Sequence, residues 1–152
     1  MVGQNRFAIA NDGFTPADTS ETPFILFRNP AGSGKLIRFI EMLTSNISST
    51  DRLRFYRSPT ITAVGSVINV NKIRPSGTIT SIAQVYLNPT VSNVGFLVST
   101  YIEGITGVSM VQRLLNELRF IEPGNDLLIT TTQASAHIVN ISAEWSEDSA
   151  TV

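Results

Sequence analysis

The chain has no cysteine and a single histidine, His137. Disulfides, thiolate nucleophiles and Cys-ligated metals are therefore excluded together, and no redox compartment can be inferred. Charge is also scarce, at 15% of residues against roughly 25% in typical soluble domains. Much of the surface must then be Ser, Thr, Asn and backbone, which suits a protein that works in contact with neighbours. No run approaches the roughly 18 apolar residues of a membrane-spanning helix. Met1 to Phe7 holds one basic residue and no apolar stretch, so a secretory signal is not expected. What remains is a chain of 152 residues, long enough to bury roughly 68–70% of its unfolded surface without staples.

The charge that is present is uneven. Arg28, Lys35, Arg38, Arg52, Arg54, Arg57, Lys72 and Arg74 make a basic middle, and Glu144, Glu147 and Asp148 make an acidic end. Opposite-sign contacts between copies are one reading and a solvated strand edge the other. The stretch DGFTPADTSETPF, Asp12 to Phe24, carries Gly, Pro, Ser, Thr and Asp without apolar periodicity. An extended N-terminal arm over 1–22 is expected, followed by a folded body over 23–147 and a short tail over 148–152.

From Phe24 onward, β-branched and aromatic runs alternate with turn clusters: PFILF, NPAGSG, KLIRFIEML, SNISSTD, RLRFYR. Leu53 and Phe55 alternate with Arg52, Arg54 and Tyr56, the period of a strand with one buried face. The segment FYRSPTITAVG from Phe55 recurs as VYLNPTVSNVG from Val85, thirty residues later, with five identities in eleven places. Each copy ends a strand at Pro, resumes with a β-branched pair and breaks at Gly. The two copies are expected in related positions of two different sheets. Val111, Leu114, Leu115 and Leu118 fit one helical turn or a loop. Glu122-Pro123-Gly124-Asn125 fits a type II turn, so RFI and LLITTT are expected to form a hairpin. The last strand, AHIVNISAEW, sets Val139, Ile141, Ala143 and Trp145 against Ile138, Asn140, Ser142 and Glu144. About eight short strands result, an all-β, two-sheet antiparallel sandwich of jelly-roll type.

Candidate chemistry is thin. AGSGK, Ala31 to Lys35, resembles the end of a phosphate-binding loop, but Asn29 stands where Gly is needed, Leu36 where Ser or Thr is needed, and a strand follows instead of a helix. The bland reading is a Gly-rich hairpin turn. His137 alone makes neither a metal site nor a relay. Glu41, Glu103, Glu117 and Glu122 are too scattered to be read as a catalytic pair, and Asn125-Asp126 and Asn69 to Asn71 lack the carboxylates of a calcium loop. Arg52, Arg54 and Arg57 beside Phe55 and Tyr56 could face nucleic acid. A net charge of −1 favours a protein contact instead. Trp145 reads as a core-capping Trp before a sugar-stacking one. No enzyme activity, cofactor or metal is expected.

With the fold argued this far, FYRSPTITAVGSVINVNK, IAQVYLNPTVSNVGFLV, RFIEPGNDLLITTT and IVNISAEWSED together resemble a family of small bacteriophage virion proteins. These carry a Tyr, Pro-Thr-Val, Gly and Asn-rich pattern twice, and close with a Pro-Gly hairpin and an aromatic-Glu strand end. The resemblance spans roughly Pro23 to Glu147, and departs from the family's Gly-Thr at Gly65-Ser66 and Gly95-Phe96. It implies a jelly-roll decoration, cement or head-fibre protein on the capsid exterior, a homotrimer bound to the major capsid protein, with neither nucleic acid nor membrane as partner. On that reading Arg52, Arg54 and Arg57, with Phe7 and Phe14 on the arm, are the candidate contact residues. The alternative is a receptor- or carbohydrate-binding module of a tail or fibre, using Tyr56, Tyr86, Tyr101 and Trp145.

Overall fold

Leu53 and Phe55 turn inward from their strand, and Val139, Ile141, Ala143 and Trp145 do so from the last one, each at most 2% exposed. Period-2 burial of this kind is what assembles the molecule. The computed structural model describes residues 5–16, 19–46, 51–73, 78–103, 110–112, 120–133 and 138–150. Among them are fourteen strands and no helix. The first seven are β1 (Arg6–Phe14), β2 (Thr22–Arg28), β3 (Lys35–Asn46), β4 (Asp51–Arg57), β5 (Thr60–Ala63), β6 (Ser66–Ile68) and β7 (Asn71–Lys72). The others are β8 (Gln84–Leu87), β9 (Thr90–Asn93), β10 (Phe96–Glu103), β11 (Met110–Gln112), β12 (Phe120–Ile121), β13 (Asp126–Gln133) and β14 (Val139–Ser149). They outnumber the eight or so expected because long runs are broken by Pro or Gly into two or three ladder segments.

One sheet, A, has the order β11-β3-β14-β1-β7 with β12 also on β3, and the other, B, has the order β10-β4-β13-β2-β8-β6; β5 and β9 make a separate ribbon. Every pairing is antiparallel. The two-sheet antiparallel sandwich expected from the sequence is the fold. Its core lies between the sheets and centres on Trp145, whose ring meets those of Phe7, Phe27 and Phe39 at 6.4, 5.9 and 6.5 Å. These are offset and edge-on arrangements that aromatic quadrupoles favour.

Several expectations are corrected. The supposed arm is largely β1, which lies between β14 and β7 in sheet A and buries Phe7, Ile9 and Phe14 in the core. Phe7-Ala8-Ile9-Ala10 alternates as a strand should. Gly13, at φ 96, sits where the register shifts between Asn11 and Phe14, so the turn-like Asp12-Gly13 is a bulge and not the end of order. The tail is likewise shorter than expected, because Asp148 and Ser149 still pair with Leu36 and Lys35. The Pro-Gly turn forms, with Gly124 at φ 80 and Asn125 N–H donating to Glu122 O at 3.1 Å. It joins no hairpin: β12 belongs to sheet A and β13 to sheet B. The possible helical turn after Val111 and the SNISSTD loop fall mostly outside the described residues.

The AGSGK segment is also a corner and not a hairpin, since it carries the chain from β2 in sheet B to β3 in sheet A. Asn29, 1% exposed, stitches both corners together. Its side chain donates to Lys35 O and Ile121 O, each at 2.8 Å, and accepts from Ser33 Oγ at 2.7 Å. Its backbone exchanges bonds with Gly124 and Asn125.

Candidate functional site

The repeated motif builds one object. Each copy passes through a left-handed residue before its Pro, Ser58 and Asn88 both at φ 54, and through a Gly at its end, Gly65 at φ 85 and Gly95 at φ 91. The two copies do not occupy different sheets, as expected, but the same one. β4 pairs β10 and β8 pairs β6 in sheet B, so the strand before each Pro pairs with the strand after the other copy's Gly. Ser66 faces Leu87 and, thirty residues on, Phe96 faces Arg57. Ile61 faces Val91 between β5 and β9. These correspondences define a pseudo-two-fold axis through the middle of sheet B.

Register also says where the ribbon runs. Arg57 stands level with Leu127, whereas Leu87, beside which β6 begins, stands level with Ile25 toward the opposite end of the sheet. The chain between β4 and β6 therefore crosses four strand positions, roughly 19 Å at about 4.8 Å each. β9 makes the reverse crossing. The interior is filled, so both run diagonally over the outer face of sheet B. Leu26 and Leu128 lie on that face, outside the main core, yet are 0% exposed. Ile61 and Val91, paired at the ribbon's centre, are half-buried. Burying each leucine stabilises by about 1.5–3 kcal/mol, and a two-stranded ribbon is marginal alone, so the ribbon needs the sheet beneath it. Outward, Thr60, Thr62, Ala63, Thr90, Ser92 and Asn93 are exposed.

The candidate contact residues divide. Phe7 and Phe14 are core residues, 1% and 7% exposed, and are not contacts. Arg57 reaches across the sandwich to Phe120 O at 2.6 Å. Arg54 pairs with Glu21 at 2.8 Å and donates to Thr132 Oγ1 at 3.2 Å. Arg52 is exposed. The three arginines thus do not converge on one basic face. Sequence reasoning missed Glu21, which gathers Arg54, Tyr56 Oη at 2.7 Å and Thr130 Oγ1 at 2.6 Å; nothing local marks it, since its partners lie in two other strands.

Burial first, and then the hydrogen bond to Glu21, push the Tyr56 phenol up to about 12 from 10.0. A raised value means that the fold favours the protonated phenol. This contribution is complete below pH 10 and lost as pH rises through about 12. Urea melts of wild type and Tyr56→Phe across that window are expected to converge as the pH rises, because only the wild type loses the contribution. Curves that stay parallel through pH 12 would mean that the phenol–carboxylate bond contributes nothing.

Several of the residues considered for chemistry are engaged in the fold. Trp145 is 0% exposed and Tyr56 is 7% exposed, so neither offers a sugar-stacking ring; the side chain of Tyr101 lies outside the described residues. The acidic end is paired within the chain: Glu144 with Arg6, and Asp148 with Arg38 at 3.2 Å. Arg28 and Asp126 form a bidentate pair, whose hydrogen bonds hold the guanidinium above its usual pKa. Glu147, buried beside Trp145, accepts from Ser81 Oγ, from Ile82 N–H at 3.1 Å, from Ala83 N–H at 3.2 Å and from Trp145 Nε1–H at 3.2 Å. Glu41 and Glu122 are exposed at different places on the surface. His137 and Glu117 lie outside the described residues. Among the described residues no three His, Cys, Asp or Glu side chains group as a metal site, and no helix is long and apolar enough to cross a membrane.

Comparison with family models, with curated proteins and with solved structures finds no match for this chain.

Proposed function

We propose that this chain is a non-catalytic structural protein of a phage virion, a homotrimeric decoration protein that binds the major capsid protein on the capsid exterior and reinforces the lattice. The observation that carries the reading is the doubled Tyr, Pro-Thr, Val-Gly motif, which builds the β5–β9 ribbon and joins it to both edges of sheet B. Neither copy contains a His, Asp or Glu. The strand order supports the jelly-roll part of the reading. The chain alternates between sheets from β1 to β4, and the two last strands return between them, β13 between β2 and β4 and β14 between β1 and β3. Two interlocked Greek keys give that pattern.

Charge is distributed as such a role requires. No Asp, Glu, Lys or Arg occurs from 58 to 71 or from 75 to 102, the stretches that supply the ribbon, β6 and all of β10 but its last residue. The outer face of sheet A carries the Arg6–Glu144 and Arg38–Asp148 pairs, and on sheet B the Arg28–Asp126 and Arg54–Glu21 pairs lie at β2, β4 and β13, outside those uncharged stretches. Protein interfaces are depleted of charge at their centre, so the uncharged ribbon with β6 and β10 is the surface on which this reading places the contact. Cosedimentation with purified capsid shells tests the reading. Saturable binding that persists at high salt is the expected result, because little charge is involved. Protein that stays in the supernatant at micromolar concentration overturns it.

A further inference from the structure

We infer that the two outer edges of sheet B, β10 and β6, are the two halves of a head-to-tail contact between copies of this chain. The inference rests on the homotrimer proposed above and names its interface. A row of outward side chains crosses all six strands: Leu97, Tyr56, Leu128, Leu26, Tyr86 and Val67, each opposite the next. Its middle is covered by the ribbon. Its ends are not: Leu97 is 54% exposed and Val67 72%, and Phe96 beside Leu97 is 76% exposed.

Both ends lie on terminal strands of the sheet. An edge strand presents unpaired N–H and C=O groups to any strand of suitable direction, and natural edges are usually blunted by Lys, Pro or bulges. Among the described residues the protection is slight. β6 is short, and β10 carries one register shift between Leu97 and Ser99. From Phe96 to Ile102 it has no charged residue and no Pro.

Strand direction decides the pairing. Five successive antiparallel pairings separate β10 from β6, so the two edges run in opposite senses. A copy related by rotation about an axis parallel to the strands brings its β6 antiparallel to β10. Because Leu97 and Val67 stand in one row, they then meet on the same face, and the row continues from copy to copy. The contact is heterologous, as ring closure by a three-fold axis requires. Cross-strand apolar pairs and restored ladder bonds supply its attraction.

The test uses the full chain and its mass in solution. Val67→Lys and Leu97→Glu alter exposed side chains and are expected to leave the circular dichroism spectrum unchanged. Each alone is expected to raise the concentration at which the trimer dissociates at least tenfold. The double variant sets Lys against Glu at each junction and is expected to regain most of the loss. Ile40→Glu, at 42% exposure on β3 of sheet A, is expected to assemble as wild type does. Single variants that assemble normally overturn the inference and leave the trimer standing. A double variant no better than the singles overturns the head-to-tail arrangement, since it places Val67 against its own counterpart. A wild-type chain that is monomeric overturns both the inference and the homotrimer.

Discussion

Gly65→Ala and Gly95→Ala are expected to lose stability by similar amounts, about 2–5 kcal/mol each. Two costs add. Both glycines hold a positive φ, 85 and 91, a region that costs an L-residue about 1–2 kcal/mol. A Cβ at Gly65 would lie 2.1 Å from Leu87 O, and one at Gly95 would lie 2.2 Å from Arg57 O. These obstacles are backbone and cannot swing away, so the strands must part, at about 1–3 kcal/mol for overpacking. The equality is the sharper part of the expectation, because it follows from the pseudo-two-fold axis. Each glycine is the seat for the other copy's left-handed turn. Gly32→Ala is the control: it has φ 76, and nothing lies within 4 Å of where its methyl group would sit, so the φ cost alone applies. Urea midpoints at constant m-value measure all three. A harmless Gly95→Ala beside a damaging Gly65→Ala would break the symmetry argument.

Glu147→Ala is expected to cost about 3–5 kcal/mol, because it strips the acceptor from several donors that meet beside the core. The carboxylate is nearly buried, at 9% exposure, and satisfies a hydroxyl, two backbone N–H groups and the indole N–H of Trp145. Removing it leaves three donors without an acceptor, since Ala83 N–H still reaches Ser81 Oγ at 3.1 Å, and each such group costs about 1–3 kcal/mol when it stays buried. It also releases the segment from Ser81 to Ala83, which leads into β8. Glu147→Gln keeps one acceptor oxygen and is expected to lose about half as much. Trp145 is the one tryptophan in the chain, so its fluorescence reports on the site and on unfolding in the same titration. Loss of less than about 1 kcal/mol in Glu147→Ala would mean that water replaces the carboxylate at little cost.

The contrast between these two sites shows what the sequence could and could not reveal. The strands β4 and β14 were legible because alternation is local: Leu53 and Phe55, or Val139 through Trp145, declare their buried face within a few residues. The repeat was legible too, and so was the need for Gly at its end. Its placement was not, since which sheet a strand joins depends on partners far along the chain. For the same reason Pro123-Gly124 was a correct turn attached to a wrong hairpin. Turn chemistry fixes a change of direction, not the sheet that receives the next strand. β1 was hidden by its own bulge, because Asp12-Gly13 and the turn-rich residues after it outweighed the short Phe7 to Ile9 alternation.

The candidate site was less legible than the fold. Glu147 meets Ile82 across 65 positions of sequence, and Asn29 meets Ile121 across 92, so no spacing rule could have paired them. Phe7 and Phe14 look like contact residues only on an arm, which exposes what a core strand buries. Exposed Val67, Phe96 and Leu97 had no signal of their own, since apolar residues in β-runs are more often inside. Only the register of sheet B distinguishes them from their buried neighbours Leu26 and Leu128.

The proposed homotrimer requires a species larger than one copy in solution. Its molar mass by light scattering at micromolar concentration therefore decides the matter. A species of three times the chain's 16.5 kDa, stable on dilution, is the predicted result. A single species of 16.5 kDa over the same range would contradict it.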